Sequence, residues 1–179
     1  MLLAPVLLCA VLGSAASSDG TGSEYQLKAA FLYNFTKYVK WPERSFESAT
    51  SPIVVAVVGQ DPFGRTLDEA LHDKTVGTRK LEVRRFKGID DLAPCQLLFV
   101  SAAEAQRLQK IREHYAGSTT LLVGDTERFA GHGGAIGFYI EEKKVRFEVN
   151  PEATKRAELD VSSQLLKLAR IVKEEAAEH

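Results

Sequence analysis

The 179-residue sequence is poor in the features that announce catalysis or nucleic-acid binding. It holds two cysteines, one tryptophan and one methionine. No Lys/Arg run exceeds two residues, and 23 Lys+Arg against 24 Asp+Glu leave a net charge of −1. A basic face is what polyanion binding needs, so nucleic acid is excluded as a partner. Cys9 falls in the apolar leader described below, which leaves Cys95 as the single thiol of the remaining chain. One thiol closes no internal disulfide, and Cys95 reads as a small buried hydrophobe at the mouth of a strand. His72, His114, His132 and His179 form no i,i+3 or i,i+4 pair, so no metal site is expected. No serine elbow, Cys/His pair, phosphate-binding lysine loop or three-glycine dinucleotide fingerprint occurs, so neither an enzyme nor a cofactor is expected.

Charge is also missing from the first eighteen residues. Leu2–Leu12 is apolar apart from Pro5, and Gly13–Ser17 supplies small residues suited to cleavage after Ala15 or Ala16. Residues 1–16 therefore read as a signal peptide, although no basic n-region precedes the apolar run. That run is too short to be a comfortable membrane span. The expected organisation is a signal peptide over 1–16, a Gly/Ser/Thr/Asp linker over 17–23, and one domain over 24–179. The expected location is the periplasm.

What the chain does have is a set of near-continuous apolar runs, each ending in a small polar loop. Ile53–Val58 precedes Gly59-Gln60-Asp61, Leu97–Val100 precedes Ser101, and Thr120–Val123 precedes Gly124-Asp125. Strands without polar alternation are buried on both faces, the mark of a parallel sheet covered by helices. Helices are expected over 24–40, 63–71 and 102–115, with a turn at 75–78 and a strand nearer the edge at 81–86. Ala135–Glu141 and Val145–Val149 alternate and read as an antiparallel hairpin. Asn150-Pro151 is an N-cap followed by a first-turn proline. Val161, Leu165, Leu168, Ala169 and Val172 then make the stripe of a closing helix, and Asp160 or Ser162 can cap it afresh, so two short helices are expected rather than one long one. The fold class is α/β: a single-domain, mostly parallel sheet flanked by helices, with a C-terminal antiparallel hairpin and closing helices.

Open sheets of this kind place ligand loops at the carboxyl ends of their strands. Asp61 reads as a turn or cap residue ahead of Pro62 and Phe63, and Asp125 likewise. A phospho-acceptor pocket built on the two is disfavoured, since it needs a clustered acidic pair and a relay of phosphoryl groups. Tyr33, Asn34 and Tyr38 sit on or beside the apolar face of the first helix, and Trp41 ends it at Pro42. Gly131, Gly133, Gly134 and Gly137 read as a flexible approach to the hairpin. Arg146 alternates outward on its strand, suited to an ion pair.

Several of these segments, in this order, resemble the YfiR family of periplasmic regulators. They are Leu27–Pro42, Val58–Gly64, Cys95–Ser101, Val123–Asp125 with Phe129-Ala130, Gly133–Ile136, Val145–Asn150 and Ser162–Leu166. The resemblance implies a non-catalytic, exported protein that represses a membrane-bound GGDEF-type diguanylate cyclase by binding its periplasmic domain. It further implies release by an OmpA-like outer-membrane lipoprotein, with cyclic di-GMP, biofilm formation and motility as outputs. A homodimer and a small-ligand-binding module of a sensor or transport system are the remaining expectations. The partner- or ligand-contacting candidates are Trp41, Asp61, Phe63, Asp125, Phe129 and Arg146. The sequence departs from the family at two places. Relatives often carry a cysteine where this chain reads Val54–Val57, and they tend to have glycine where it has Glu158. Glutamate is awkward in a left-handed conformation, so the last two helices are expected to join differently here.

Overall fold

A computed structural model describes residues 19–175, and the leader assigned to residues 1–16 lies outside them. The helix α1 (Asp19–Tyr38) runs directly into β1 (Val39–Lys40). There follow β2 (Ile53–Val58), α2 (Arg65–Leu71), β3 (Thr75–Val76), β4 (Arg79–Phe86), β5 (Leu97–Val100) and α3 (Leu108–His114). The chain continues through β6 (Leu121–Gly124), β7 (Ile136–Glu141), β8 (Lys144–Val149) and α4 (Pro151–Arg156). It ends with β9 (Asp160–Val161), α5 (Ser163–Leu166) and β10 (Arg170–Ile171).

Eight strands form one sheet in the order β10-β8-β7-β6-β5-β2-β4-β3. The five from β4 to β7 are mutually parallel, and β8 pairs antiparallel with β7 as the expected hairpin. The expected α/β class holds. Two-residue strands cover only part of each edge: β3 pairs with Arg79 and Lys80 of β4, and β10 with Glu148 and Val149 of β8.

Both faces of the parallel strands are covered. Val55, Val57, Leu97, Phe99, Leu121 and Val123 pack with Ala29, Leu32 and Phe35 of α1 and Leu67 and Leu71 of α2. Their alternates Val54, Ala56, Val58, Leu98, Val100 and Leu122 pack on the opposite side with Leu108 and Ile111 of α3. Each such side chain taken wholly out of water stabilises by about 1.5–3 kcal/mol, which is why these runs carry no polar alternation. Over the hairpin, Phe35 lies 5.2 Å from Phe147 and 5.6 Å from Phe138 between ring centroids, anchoring α1 there.

Several expectations change. The first helix starts at Asp19 rather than Glu24, so Gly20 and Gly22 are helical. The stretch expected as one helix over 102–115 is a 3₁₀ segment, Ala102–Arg107, followed by α3. Within it the stem of Glu104 passes under Gly59, where an added Cβ would stand 2.7 Å from its Cγ. The residues read as a turn at 75–78 include β3, which pairs back on Arg79 and Lys80.

The closing helix is the largest departure. Val161 pairs with Val39, only Ser163–Leu166 are helical, and Arg170–Ile171 lie beside β8. Leu165 is buried, but Leu168 is 71 % exposed, so the apolar spacing is not one buried stripe. Unpaired backbone on β1 and β8 captures these residues and overrides the helical period. Two caps form as expected. Asn150 Oδ1 accepts from the Glu152 and Ala153 N–H groups, and Ser162 accepts from Gln164 N–H.

Glu158 does adopt the left-handed conformation, with φ 55°, against the expectation drawn from its side chain. The Leu159 N–H donates to Thr154 O at 3.0 Å, closing the end of α4 around it. Its carboxylate meets Arg44 at 2.6 Å, and that hydrogen bond holds its pKa below the ordinary value.

Candidate functional site

At the carboxyl ends of the parallel strands, Phe63 and Asp125 come together through one residue of α1, and Asp61 holds the turn that leads into Phe63. The Tyr25 hydroxyl donates to Asp125 Oδ2 at 2.8 Å, and its ring meets Phe63 edge-on with centroids 5.2 Å apart. Phe63 in turn packs against Phe99, 4.8 Å away, and is buried. Lys28 also donates to Asp125 Oδ2, at 2.7 Å, and reaches Glu24 at 2.5 Å. Lys28 is only 3 % exposed, so its ammonium is held by these two carboxylates and by the Tyr25 ring face 4.4 Å away. Burial raises the Tyr25 phenol above its ordinary range, and the Asp125 hydrogen bond and charge push the same way.

Asp61 is a turn residue rather than a helix cap. Its Oδ1 accepts from the Phe63 N–H at 2.8 Å and its Oδ2 from Arg85 Nε at 2.7 Å, while α2 begins later, at Arg65. The Arg85 guanidinium also grips Asp68 at 2.6 Å and holds that carboxyl below its usual range. Asp61, Asp68 and Asp125 therefore each already have a cation of their own chain. Ser101 Oγ is the one buried side-chain polar atom with no hydrogen-bond partner among the described residues. Sequence reasoning missed Lys28: its neighbour Leu27 is 46 % exposed, and the partner that makes its burial tolerable, Asp125, is distant in sequence.

Trp41 lies elsewhere, at the amino end of β5. Its Nε1–H donates to Gln96 O at 3.1 Å. Gln96 also knits this end together: its Oε1 accepts from Val54 N–H at 2.8 Å and its Nε2 donates to Ser45 O at 2.7 Å. Phe129 is 1 % exposed and sits inside the β6–β7 connection. A Cβ on Gly124 or Gly134 would lie 2.5 or 2.1 Å from its ring, so these glycines admit an aromatic plug. The glycine-rich approach is packed rather than merely flexible. Cys95 is free and buried, and burial pushes its thiol up to about 12, which makes it inert at neutral pH.

Arg146 stands apart from the other five, on the outer face of the β7–β8 hairpin. It is half exposed and faces Glu141 at 3.9 Å. It borders a groove of about 630 Å³ between the start of α1 and the hairpin, which Leu27, Ile140, Lys143 and Lys144 also line. Leu27 is 46 % and Ile140 52 % exposed there, two large apolar side chains side by side in water. Lys143, Lys144 and Arg146 border these two apolar side chains. Among the described residues no group of three or more His, Cys, Asp or Glu side chains is placed to hold a metal, and no helix is long and apolar enough to cross a membrane.

A family model described as YfiR/HmsC-like matches residues 25–170. No curated protein matches the chain.

Proposed function

The chain belongs to the YfiR/HmsC-like family, and from that premise we propose that it is an exported regulator that represses a membrane-bound diguanylate cyclase. The match over residues 25–170 is the observation that carries this reading. The uncharged apolar leader supports export to the periplasm. The regulator works by binding and performs no chemistry of its own, in keeping with acids at the strand ends that are engaged internally.

Its mechanism is a population shift. By binding the periplasmic domain of the GGDEF-type cyclase in its inactive conformation, it stabilises that state by the difference in affinity between the two forms. An hundredfold preference is worth about 2.7 kcal/mol, enough to turn an even equilibrium into one dominated by the inactive form. A competing partner, an OmpA-like outer-membrane lipoprotein, withdraws the repressor and lets cyclic di-GMP and biofilm formation rise.

The proposed contact surface centres on Arg146, with Leu27 and Ile140 as its apolar anchors. Trp41 and Asp61, both partly exposed, lie away from this groove and brace the opposite ends of the sheet. Phe63, Phe129 and Asp125 act from inside, fixing the loops that carry them. The direct test is calorimetric titration of the mature chain into the periplasmic domain of a GGDEF protein encoded beside it, together with cyclic di-GMP levels in cells lacking the chain. Saturable binding and raised cyclic di-GMP are expected. Absence of binding with unchanged cyclic di-GMP overturns the reading.

A further inference from the structure

The amino ends of β6 and β7 hold a cavity of about 390 Å³. Leu122, Ala135, Ala153 and Ala157 give it apolar walls, while Arg112 and Arg156 stand at its rim from α3 and α4. The two guanidiniums converge on one carboxylate. Arg112 Nη2 donates to Glu174 Oε1 at 2.6 Å, and Arg156 Nη2 donates to Glu174 Oε2. Glu174 belongs to the short tail after β10, not to either helix.

Arg112 is positioned for this geometry by the rest of the chain. Its Nη1 donates to Gln109 Oε1 at 3.1 Å and to His132 O at 3.3 Å. Its guanidinium lies flat against Gly133, where φ is +94° and an added Cβ would fall 2.2 Å from the guanidinium carbon. The arginine is thus set by a backbone that only glycine allows. The segment after β10 is tied only by hydrogen bonds and ion pairs: the Glu175 N–H donates to Gly131 O at 2.8 Å, and Arg128 pairs with the Glu175 carboxylate. Burial opposes ionisation of Glu174, yet the hydrogen bond from Arg156 and the charge of Arg112 outweigh it and hold its pKa below the ordinary value.

Two arginines from separate helices that share one carboxylate, over an apolar hollow, have the form of a carboxylate-recognition site. We propose that this cavity binds a small organic acid with an apolar body, and that Glu174 is an internal stand-in which the ligand's carboxylate displaces. The site goes beyond the repressor reading and does not depend on it. A side chain on a short tether competes as though present at about millimolar concentration, so the intact protein binds such acids weakly and tail release tightens them. With the tail lifted, Arg112 and Arg156 face the cavity, and Glu113, which accepts from Gln109 at 2.9 Å, is the acidic group on its wall.

The test uses benzoate as the carboxylate probe and inorganic phosphate as the second arm, titrated into the full mature chain. The variants are Glu174→Gln, Glu174→Gln with Arg112→Gln, and Glu174→Gln with Arg156→Gln; the last change lies on a half-exposed side chain that the fold tolerates. Benzoate should bind Glu174→Gln at least about tenfold more tightly than the unmodified chain and lose that gain in either double variant. Hydrogen exchange at the Glu175 amide of the unmodified chain should rise as benzoate saturates. Equal benzoate affinity in all four proteins overturns the site. Phosphate binding as tightly as benzoate overturns the assignment of an apolar body, and unchanged exchange at Glu175 overturns displacement of the tail.

Discussion

The sheet finishes its two ends with different kinds of residue. At the carboxyl end, Asp125 meets Lys28 and Tyr25 of α1, and Asp61 meets Arg85 of β4, so each charge is answered from a regular element. At the amino end, Arg112 and Arg156 are answered by Glu174, which hangs on a few residues beyond β10. The first arrangement is bound up in the core contacts of Phe63 and Phe99; the second can come apart without disturbing a strand. A fold rule that places ligand loops at strand carboxyl ends therefore points, in this chain, to the end whose charges are paired within regular elements.

Loss of a core side chain sets the scale for that contrast. Phe129→Ala empties the space between Gly124 and Gly134 and should cost about 4 kcal/mol, lowering Tm by roughly 8–16 °C in a thermal melt. Asp125→Ala strips the nearly buried Lys28 of one of its two carboxylates and should cost about 3 kcal/mol. Its amino-end counterpart, Glu174→Gln, should cost less than about 1 kcal/mol, because the ions it releases can reach water. Equal losses for these two substitutions in chemical denaturation would erase the distinction between the ends.

Acid sharpens the same comparison. Glu174 has a folded-state pKa below its ordinary value of 4.5, so its contribution is fully present above that pH. It is lost as pH falls through the lower, folded value. Hydrogen exchange at Glu175 should accelerate over that interval while the β2 and β5 amides stay protected. The smallest effect belongs to Glu158→Gly, which relieves a left-handed glutamate at the cost of its exposed pairing with Arg44. A Tm rise of a few degrees is expected; a fall would mean that the Arg44 contact outweighs backbone strain.

The central strands were readable because double-sided burial leaves a run such as Ile53–Val58 with no polar position. The Asn150-Pro151 cap was readable because its signals are local. The C-terminal segment was not: Val161 and Val172 have helical spacing, but long-range partners on β1 and β8 decide their conformation. Lys28 was invisible for the same reason, since Asp125, 97 residues away, makes its burial tolerable. Of the six candidate contact residues, sequence pattern identified the loops but not orientation. Phe63 and Phe129 point inward, and Arg146 is separated from the rest on the hairpin. The arginine-rimmed cavity had no linear signature, because α3, α4 and the tail supply one residue each.

The most direct measurement takes the proposed partner, the periplasmic domain of a GGDEF-type cyclase, and compares its binding by the unmodified chain, by Ile140→Asp with Arg146→Glu, and by Asp61→Asn. The hairpin-groove variant should lose at least about a hundredfold in affinity, and Asp61→Asn should stay within about twofold of the unmodified chain. Full affinity in the groove variant, with binding lost in Asp61→Asn, would contradict the account.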